Sequence, residues 1–287
     1  MGGGRPARRP PEDSSGRSPR ARAATGRAAP WRTRPQRALA TEFQVSRDTV
    51  QRVLRELVSE GWIQSRQGSG SRVIKKQHIQ SLTPRPSTQD RTVMLGPIIA
   101  EAFEKPDVTL DVYTLTSESL DAHIRIQAER IRAGQIAPRR IALRMLLPAE
   151  ELDLPYPRAA GAPGDPRVKA RLLSITHRHT ESLASVLQEL KVQSVVPDVD
   201  LQIRHAPLTP TFKLYILNGT DTLHGLYEVT ERRIVLEDGE EIDALDVLGV
   251  GATLTHYVRD EDPSSTGSVF ADTMQSWFNS VWNLLAT

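Results

Sequence analysis

Leu39-Ala-Thr-Glu-Phe-Gln-Val-Ser-Arg-Asp-Thr-Val-Gln-Arg-Val-Leu-Arg-Glu-Leu-Val-Ser-Glu-Gly-Trp-Ile-Gln-Ser-Arg-Gln-Gly-Ser-Gly-Ser-Arg-Val73 changes its hydrophobic period twice. Ala38, Leu39 and Phe43 fall at helical spacing, and Ser46 is placed to cap a second helix. From Arg47 to Glu60 the apolar residues are Val50, Val53, Leu54, Leu57 and Val58, one stripe of an amphipathic helix, and Gly61 supplies its stop. Trp62 to Arg66 then reads as a strand, Gln67-Gly-Ser-Gly-Ser71 as a turn and Arg72-Val-Ile74 as the return strand. The order is helix, turn, helix, hairpin. With the stripe inward, Arg47, Asp48, Gln51, Arg52 and Arg55 remain on the polar side of the second helix, where base edges and phosphates of a major groove can be reached.

This order and spacing resemble the winged helix of GntR-type bacterial transcription regulators. The likeness rests on Val45-Ser-Arg-Asp-Thr-Val50, on Leu57-Val-Ser-Glu-Gly61 and on Arg66-Gln-Gly-Ser-Gly70. It implies that Arg37, Arg47 and Thr49 contact duplex DNA, and that Gln67 and Gly68 form a wing tip entering the minor groove. Gln51 stands where the family often has arginine, which exchanges guanine-directed for adenine-directed chemistry. In that family another helix precedes the segment of Arg37, whereas here the preceding residues are rich in Arg and Pro and aperiodic.

Charge is distributed to match. Residues 1–36 carry +7, 37–78 carry +4 and 79–287 carry −9, so a formal net charge of +2 hides a basic front and an acidic rear. Such polarity is expected of a nucleic-acid-facing head on a body without that role. Residues 1–33, with Trp31 as their one aromatic side chain, lack the apolar surface to offset ordering entropy and read as a disordered leader. The winged helix-turn-helix domain is expected over 34–77. Residues 78–106, with Pro84 and Pro86, read as a linker, although Arg91 to Phe103 fits either a strand or a helix leading into the body. The sequence has no cysteine, which excludes disulfides, thiolate metal sites and a cysteine nucleophile. No apolar run is long enough for a membrane span, and a cytoplasmic, nucleoid-associated protein is expected.

The body, 107–287, alternates strands and helices. Strands are predicted at Val108–Leu115, Arg140–Leu147, Val199–Ile203, Thr211–Leu217, Gly225–Val229 and Arg233–Leu236, and helices at about 117–133, 167–191 and 266–286. Phe270, Met274, Trp277, Val281 and Leu285 are expected on the inner face of the last helix. An α/β class follows, an α/β sandwich behind a winged-helix head.

Thr211-Phe-Lys213 to Asn218, followed by Gly225-Leu226, is similar to the frame of the phospholipase D superfamily. There a strand carries His-x-Lys, an aspartate follows five positions after the lysine, and a Gly-Ser-x-Asn turn comes next. Only Lys213 and Gly225 match; Thr211 replaces the histidine, Asn218 the aspartate and Leu226 the serine. A hydroxyl with no paired base does not attack a phosphodiester at neutral pH, so the resemblance implies an inactive domain suited to binding. Thr211, Lys213 and Asn218 are therefore expected to line a pocket for an anionic or polyhydroxylated effector. A DNA-tethered phosphodiester hydrolase is the alternative. His177 and His179 lie about 200° apart on a helix and cannot share a metal ion. Neither cofactor nor metal is expected, and no catalytic residue. A single head contacts too few base pairs for useful specificity, so a homodimer on an inverted repeat is expected.

Overall fold

The computed structural model describes the chain at residues 37, 47, 50, 51, 63–66, 70–73, 79–81, 95–247 and 253–287. In the head, β1 (Ile63–Arg66) and β2 (Gly70–Val73) pair antiparallel, with Ile63 opposite Val73 and Arg66 opposite Gly70. Residues 67–69 connect them, which is the hairpin wing expected of the glycine-rich turn.

The body is built on one mixed sheet of seven strands in the order β3 (Ile79–Ser81), β12 (Leu254–Val258), β9 (Asp221–Leu226), β8 (Phe212–Leu217), β4 (Asp107–Tyr113), β5 (Arg140–Pro148), β7 (Asp198–Ala206). Its parallel half contains β4 (Asp107–Tyr113), β5 (Arg140–Pro148) and β7 (Asp198–Ala206). Two crossover helices join them, α2 (Glu118–Arg132) and α3 (Pro166–Val192). Because both crossovers step the same way along the sheet, right-handedness puts both helices on one face. Val108, Leu110 and Val112 of β4 and Ile141, Leu143 and Met145 of β5 point to that face and pack with Leu120, Ile124, Leu183 and Leu187 in the main core. A shorter helix, α1 (Leu95–Ala102), joins them: Leu95, Ile98, Ile99 and Ala102 recur at helical spacing and are buried, as is Phe103 just beyond. The latter part of the expected linker, 95–103, is thus core, and Ile79–Ser81 near its start is a strand of the same sheet.

The antiparallel half adds β8 (Phe212–Leu217) and β9 (Asp221–Leu226), then β12 (Leu254–Val258), whose outer partner is β3 (Ile79–Ser81). The strand expected at Gly225–Val229 is divided. Gly225 ends in β9, while Val229 opens β10 (Val229–Val235), which pairs with β11 (Glu241–Val247) and, through it, β6 (Arg158–Ala159) in a separate three-stranded sheet. Glycine is required at Gly225, since an added Cβ would lie 2.5 Å from Leu254 and 2.6 Å from the Thr253 carbonyl of the neighbouring strand. Its agreement with the phospholipase D frame therefore has a packing explanation.

The last helix, α4 (Thr266–Leu284), covers the opposite face of the sheet. Phe278, Val281 and Trp282 are its buried core residues, and Phe270, Met274 and Trp277 are half-buried. Leu285, expected inward, is 43% exposed because the helix has ended before it. The architecture is three layers, helices α1–α3, sheet, and α4, with the small sheet set beside the carboxyl ends of the parallel strands.

Local signals fix the helix ends. Asp165 caps α3 by accepting from the Arg167 N–H at 3.0 Å, with Pro166 in the first turn. Gly134, at φ 68°, closes α2 with Gln135 donating to the Arg130 carbonyl and Gly134 to that of Ile131, a Schellman motif.

A polar cluster locks α2 to α3. The buried Asp121 carboxylate accepts from Ser182 Oγ at 2.6 Å and meets His179 Nδ1 at 2.9 Å, with Arg125 beside it. Burial works against ionisation of Asp121, but the bonds from His179 and Ser182, joined by the charges of His179 and Arg125, hold its pKa below the ordinary value. A folded pKa below the unfolded value means that the stabilisation is complete above the unfolded pKa, about 3.9, and is lost as pH falls through the folded one. Urea unfolding between about pH 5 and pH 2 is expected to show a steeper acid loss for the native protein than for Asp121→Asn, whose baseline stability is lower. Equal slopes would contradict the assignment.

Candidate functional site

Two regions carry functional chemistry. In the head the backbone is helical at Arg37, Arg47, Val50 and Gln51. Val50 is 6% exposed, whereas Arg37, Arg47 and Gln51 are exposed. Positions 47 and 51 are one helical turn apart, so the guanidinium and the amide share a solvent face while Val50 is inward. Asp48, Thr49, Arg52, Arg55, Gln67 and Gly68 lie outside the described residues.

In the body, Lys213 is 2% exposed and stands on the α2–α3 face of β8. Its Nζ lies 5.4 Å from the centre of the Tyr227 ring, a cation–π contact inside the protein. The small cavity at Lys213 is lined by Thr114, Glu118, Arg171, Tyr227, Arg232 and Asp246, among others. Each element brings a piece: the end of β4, the start of α2, the buried stripe of α3, and the β10–β11 hairpin. Thr230 is directly opposite Asp246, which sets Arg232 diagonal to it, and Arg232 Nε donates to Asp246 Oδ2 at 2.7 Å. Asp246 also accepts from the Val247 N–H at 2.8 Å, and Arg171 Nε donates to the Val235 carbonyl at 2.8 Å. Tyr227 Oη accepts from the Leu115 N–H at 2.8 Å and pairs with Thr114 Oγ1 at 3.0 Å; burial, the largest influence, pushes its pKa up to about 12. The phenol is a neutral hydrogen-bonding group here.

The three residues expected to line one effector pocket do not share it. Thr211 lies before β8, is exposed, and contributes its carbonyl to the Tyr227 N–H. Asn218 sits five positions beyond Lys213, about 17 Å along a strand, in a left-handed turn at φ 53°. Its amide accepts from the Thr109 N–H at 2.8 Å and donates to the Ala102 carbonyl at 3.1 Å, tying β4 to α1. Asn218 is a structural bridge bordering a different, open groove. The Lys213 cavity itself measures about 50 Å³. At roughly 30 Å³ per water this holds one or two waters and not a polyhydroxylated effector.

Arg171, Arg232, Asp246, Glu118 and Tyr227 were not anticipated. One had a signal: Arg171 interrupts the apolar stripe of Val168, Leu172 and Ile175, and a charge at a buried helical position points to a polar cavity. His177 and His179 turn to Glu150 and Asp121 respectively, consistent with their angular separation. Among the described residues no group of three His, Cys, Asp or Glu side chains is arranged to hold a metal ion, and no helix is long and apolar enough to cross a membrane.

Bacterial regulatory proteins of the gntR family match at residues 25–73, about a sixth of the chain. The match contains the whole helix–turn–helix and wing, and it reaches back into the segment read as a leader. It assigns the head to the DNA-binding segment of a bacterial transcription regulator. It does not extend to the body, and no solved structure matches the chain.

Proposed function

We propose that this protein is a one-component transcription regulator acting in the cytoplasm, whose head reads a duplex operator as a homodimer and whose body binds an effector or joins the two copies. The observation that carries the reading is the family match over 25–73, supported by exposed Arg47 and Gln51 and by the register of the wing hairpin. Two heads related by a twofold axis read an inverted repeat with half-sites about one helical turn apart, or a multiple of it. Selection of bound duplexes from random DNA tests this: an inverted repeat is expected, and a single half-site or no consensus would count against the dimeric reading.

We read the body as non-catalytic. Among the described residues no histidine lines the Lys213 cavity, and Thr211 is exposed outside it. Of the residues that matched the phospholipase D frame, Lys213 is buried on a strand and Gly225 lies within the next strand, where packing requires it. Lys213-dependent cleavage of a chromogenic phosphodiester would overturn this part of the proposal.

A further inference from the structure

The connection from Pro148 to Pro166 passes by the carboxyl ends of β5 and β7 and the first turns of α3, and a cavity of about 240 Å³, open to solvent, lies among them. In open α/β sheets this is where ligands settle, in the crevice beyond the carboxyl ends of the parallel strands. The cavity is separate from the buried Lys213 cavity but shares with it a wall made by Leu115, Pro157 and Leu172. At roughly 30 Å³ per water-sized group it accommodates about eight such groups, the scale of a small metabolite.

Its lining has two characters. Leu115, Leu152, Leu154, Leu172 and Leu173 supply an apolar floor. Lys169 and Arg158 line it where it opens to solvent, and His205, near the end of β7, lines it from the sheet. Lys169 and Arg158 are exposed, and neither side chain makes a hydrogen bond or ion pair among the described residues. The acids nearby are mostly committed. Glu150 meets His177 at 2.6 Å, a bond that, with the added charges of His177, His205 and Lys169, holds its pKa below the ordinary value against the effect of burial. Asp165 caps α3 and pairs with Arg167 at 2.8 Å. Among the described charged residues lining the cavity, Lys169 acts on Glu150, and Arg158 is left as the cation and Asp153 as the acid without a charged partner.

We infer that this cavity binds a small amphipathic carboxylic acid, its hydrocarbon part on the leucine floor and its carboxylate at Lys169 and Arg158. A polyhydroxylated ligand is disfavoured, because the floor would leave its hydroxyls without partners. The inference rests on the reading of the body as an effector domain only for its biological consequence; occupancy of the cavity is a separate physical claim. The shared wall gives that consequence a route, since a ligand pressing on Leu172 acts on the α3 turn that carries Arg171 into the Lys213 cavity.

Octanoate and phenylacetate are the probes, with octanamide and phenylacetamide as neutral counterparts of the same shape, titrated calorimetrically into the full chain. The acids are expected to bind and the amides to bind at least about tenfold more weakly, one charge-assisted contact being worth that much. Arg158→Gln with Lys169→Gln is expected to erase the difference between acid and amide. These side chains are exposed, so their replacement leaves the fold intact. Leu173→Trp, whose folding is checked by its thermal midpoint, is expected to abolish binding of both. No binding of either acid to the folded protein, equal affinities for acid and amide, or an acid preference that survives the double substitution would overturn the assignment. Operator affinity is measured in parallel. Binding that leaves operator affinity unchanged supports the site and removes the effector role, whereas loss of operator recognition without ligand would strike the regulator reading alone.

Discussion

Phe103→Ala is expected to lower the unfolding free energy of the body by about 3–5 kcal/mol, among the largest effects of any single substitution in this fold. Phe103 is 1% exposed and lies in the main core with Ile99, Val108 and Leu217. Removing a ring from such a site loses its transfer free energy and leaves a cavity that the surrounding strands close only in part. Ile99→Val, which deletes one methylene in the same cluster, is expected to cost about 0.5–1.5 kcal/mol. Urea unfolding of both variants separates the two descriptions of this segment. Were residues 95–103 a solvated linker, both changes would fall within about 0.5 kcal/mol of the native protein.

Arg47→Ala is expected to weaken operator binding about 10- to 100-fold and to relax preference at the base pair that Arg47 addresses, because a bidentate arginine–base contact discriminates by about 1–3 kcal/mol. Arg47 is exposed on the helical face it shares with Gln51, so its removal leaves the buried contact at Val50 untouched. Lys75 and Lys76 directly follow the wing's return strand in the sequence; Lys75→Ala and Lys76→Ala are expected to behave differently, lowering affinity for all duplexes alike and reducing the salt slope by about one each. Fluorescence anisotropy across ionic strengths distinguishes base readout from phosphate neutralisation. Equal losses on operator and scrambled duplex for Arg47→Ala would reassign that residue to the phosphate class.

What could be read from the chain divides along a physical line. The parallel half of the sheet was legible because each element is long and strongly periodic: β5 buries alternate residues, and α3 repeats its apolar positions over 27 residues. α1 was ambiguous because it is eight residues long with Gly96 and Pro97 near its start, too short for periodicity to distinguish helix from strand. β9, Asp221-Thr-Leu-His-Gly-Leu226, and β12, Leu254-Thr-His-Tyr-Val258, are short and polar, and their strand character comes from pairing with neighbours and not from composition. β11 was obscured by Glu241, Asp243 and Asp246, whose partners Arg233 and Arg232 are supplied across the hairpin.

The site divides in the same way. Lys213 was identified by its neighbours in sequence, and it does face a polar cavity. Thr211 and Asn218 were joined to it by the spacing of a motif, yet a strand extends about 3.3 Å per residue and carries Asn218 to the far end of β8. The residues that do surround Lys213 come from five other elements, and only the fold brings them together. The amphipathic cavity beside it had no sequence signal, because its leucines look like any core and its two cations like any surface.

The most direct measurement is the dissociation constant of the purified full chain for its selected duplex and for a scrambled duplex of equal length, both at physiological salt. Specific recognition by a paired winged-helix head predicts a ratio of at least about 10³ in favour of the selected duplex, with the steeper salt dependence expected of phosphate contacts in both cases. A ratio near one, with affinity falling equally on both duplexes as salt rises, would mean that the basic head binds nucleic acid without reading it, and would contradict a transcription regulator.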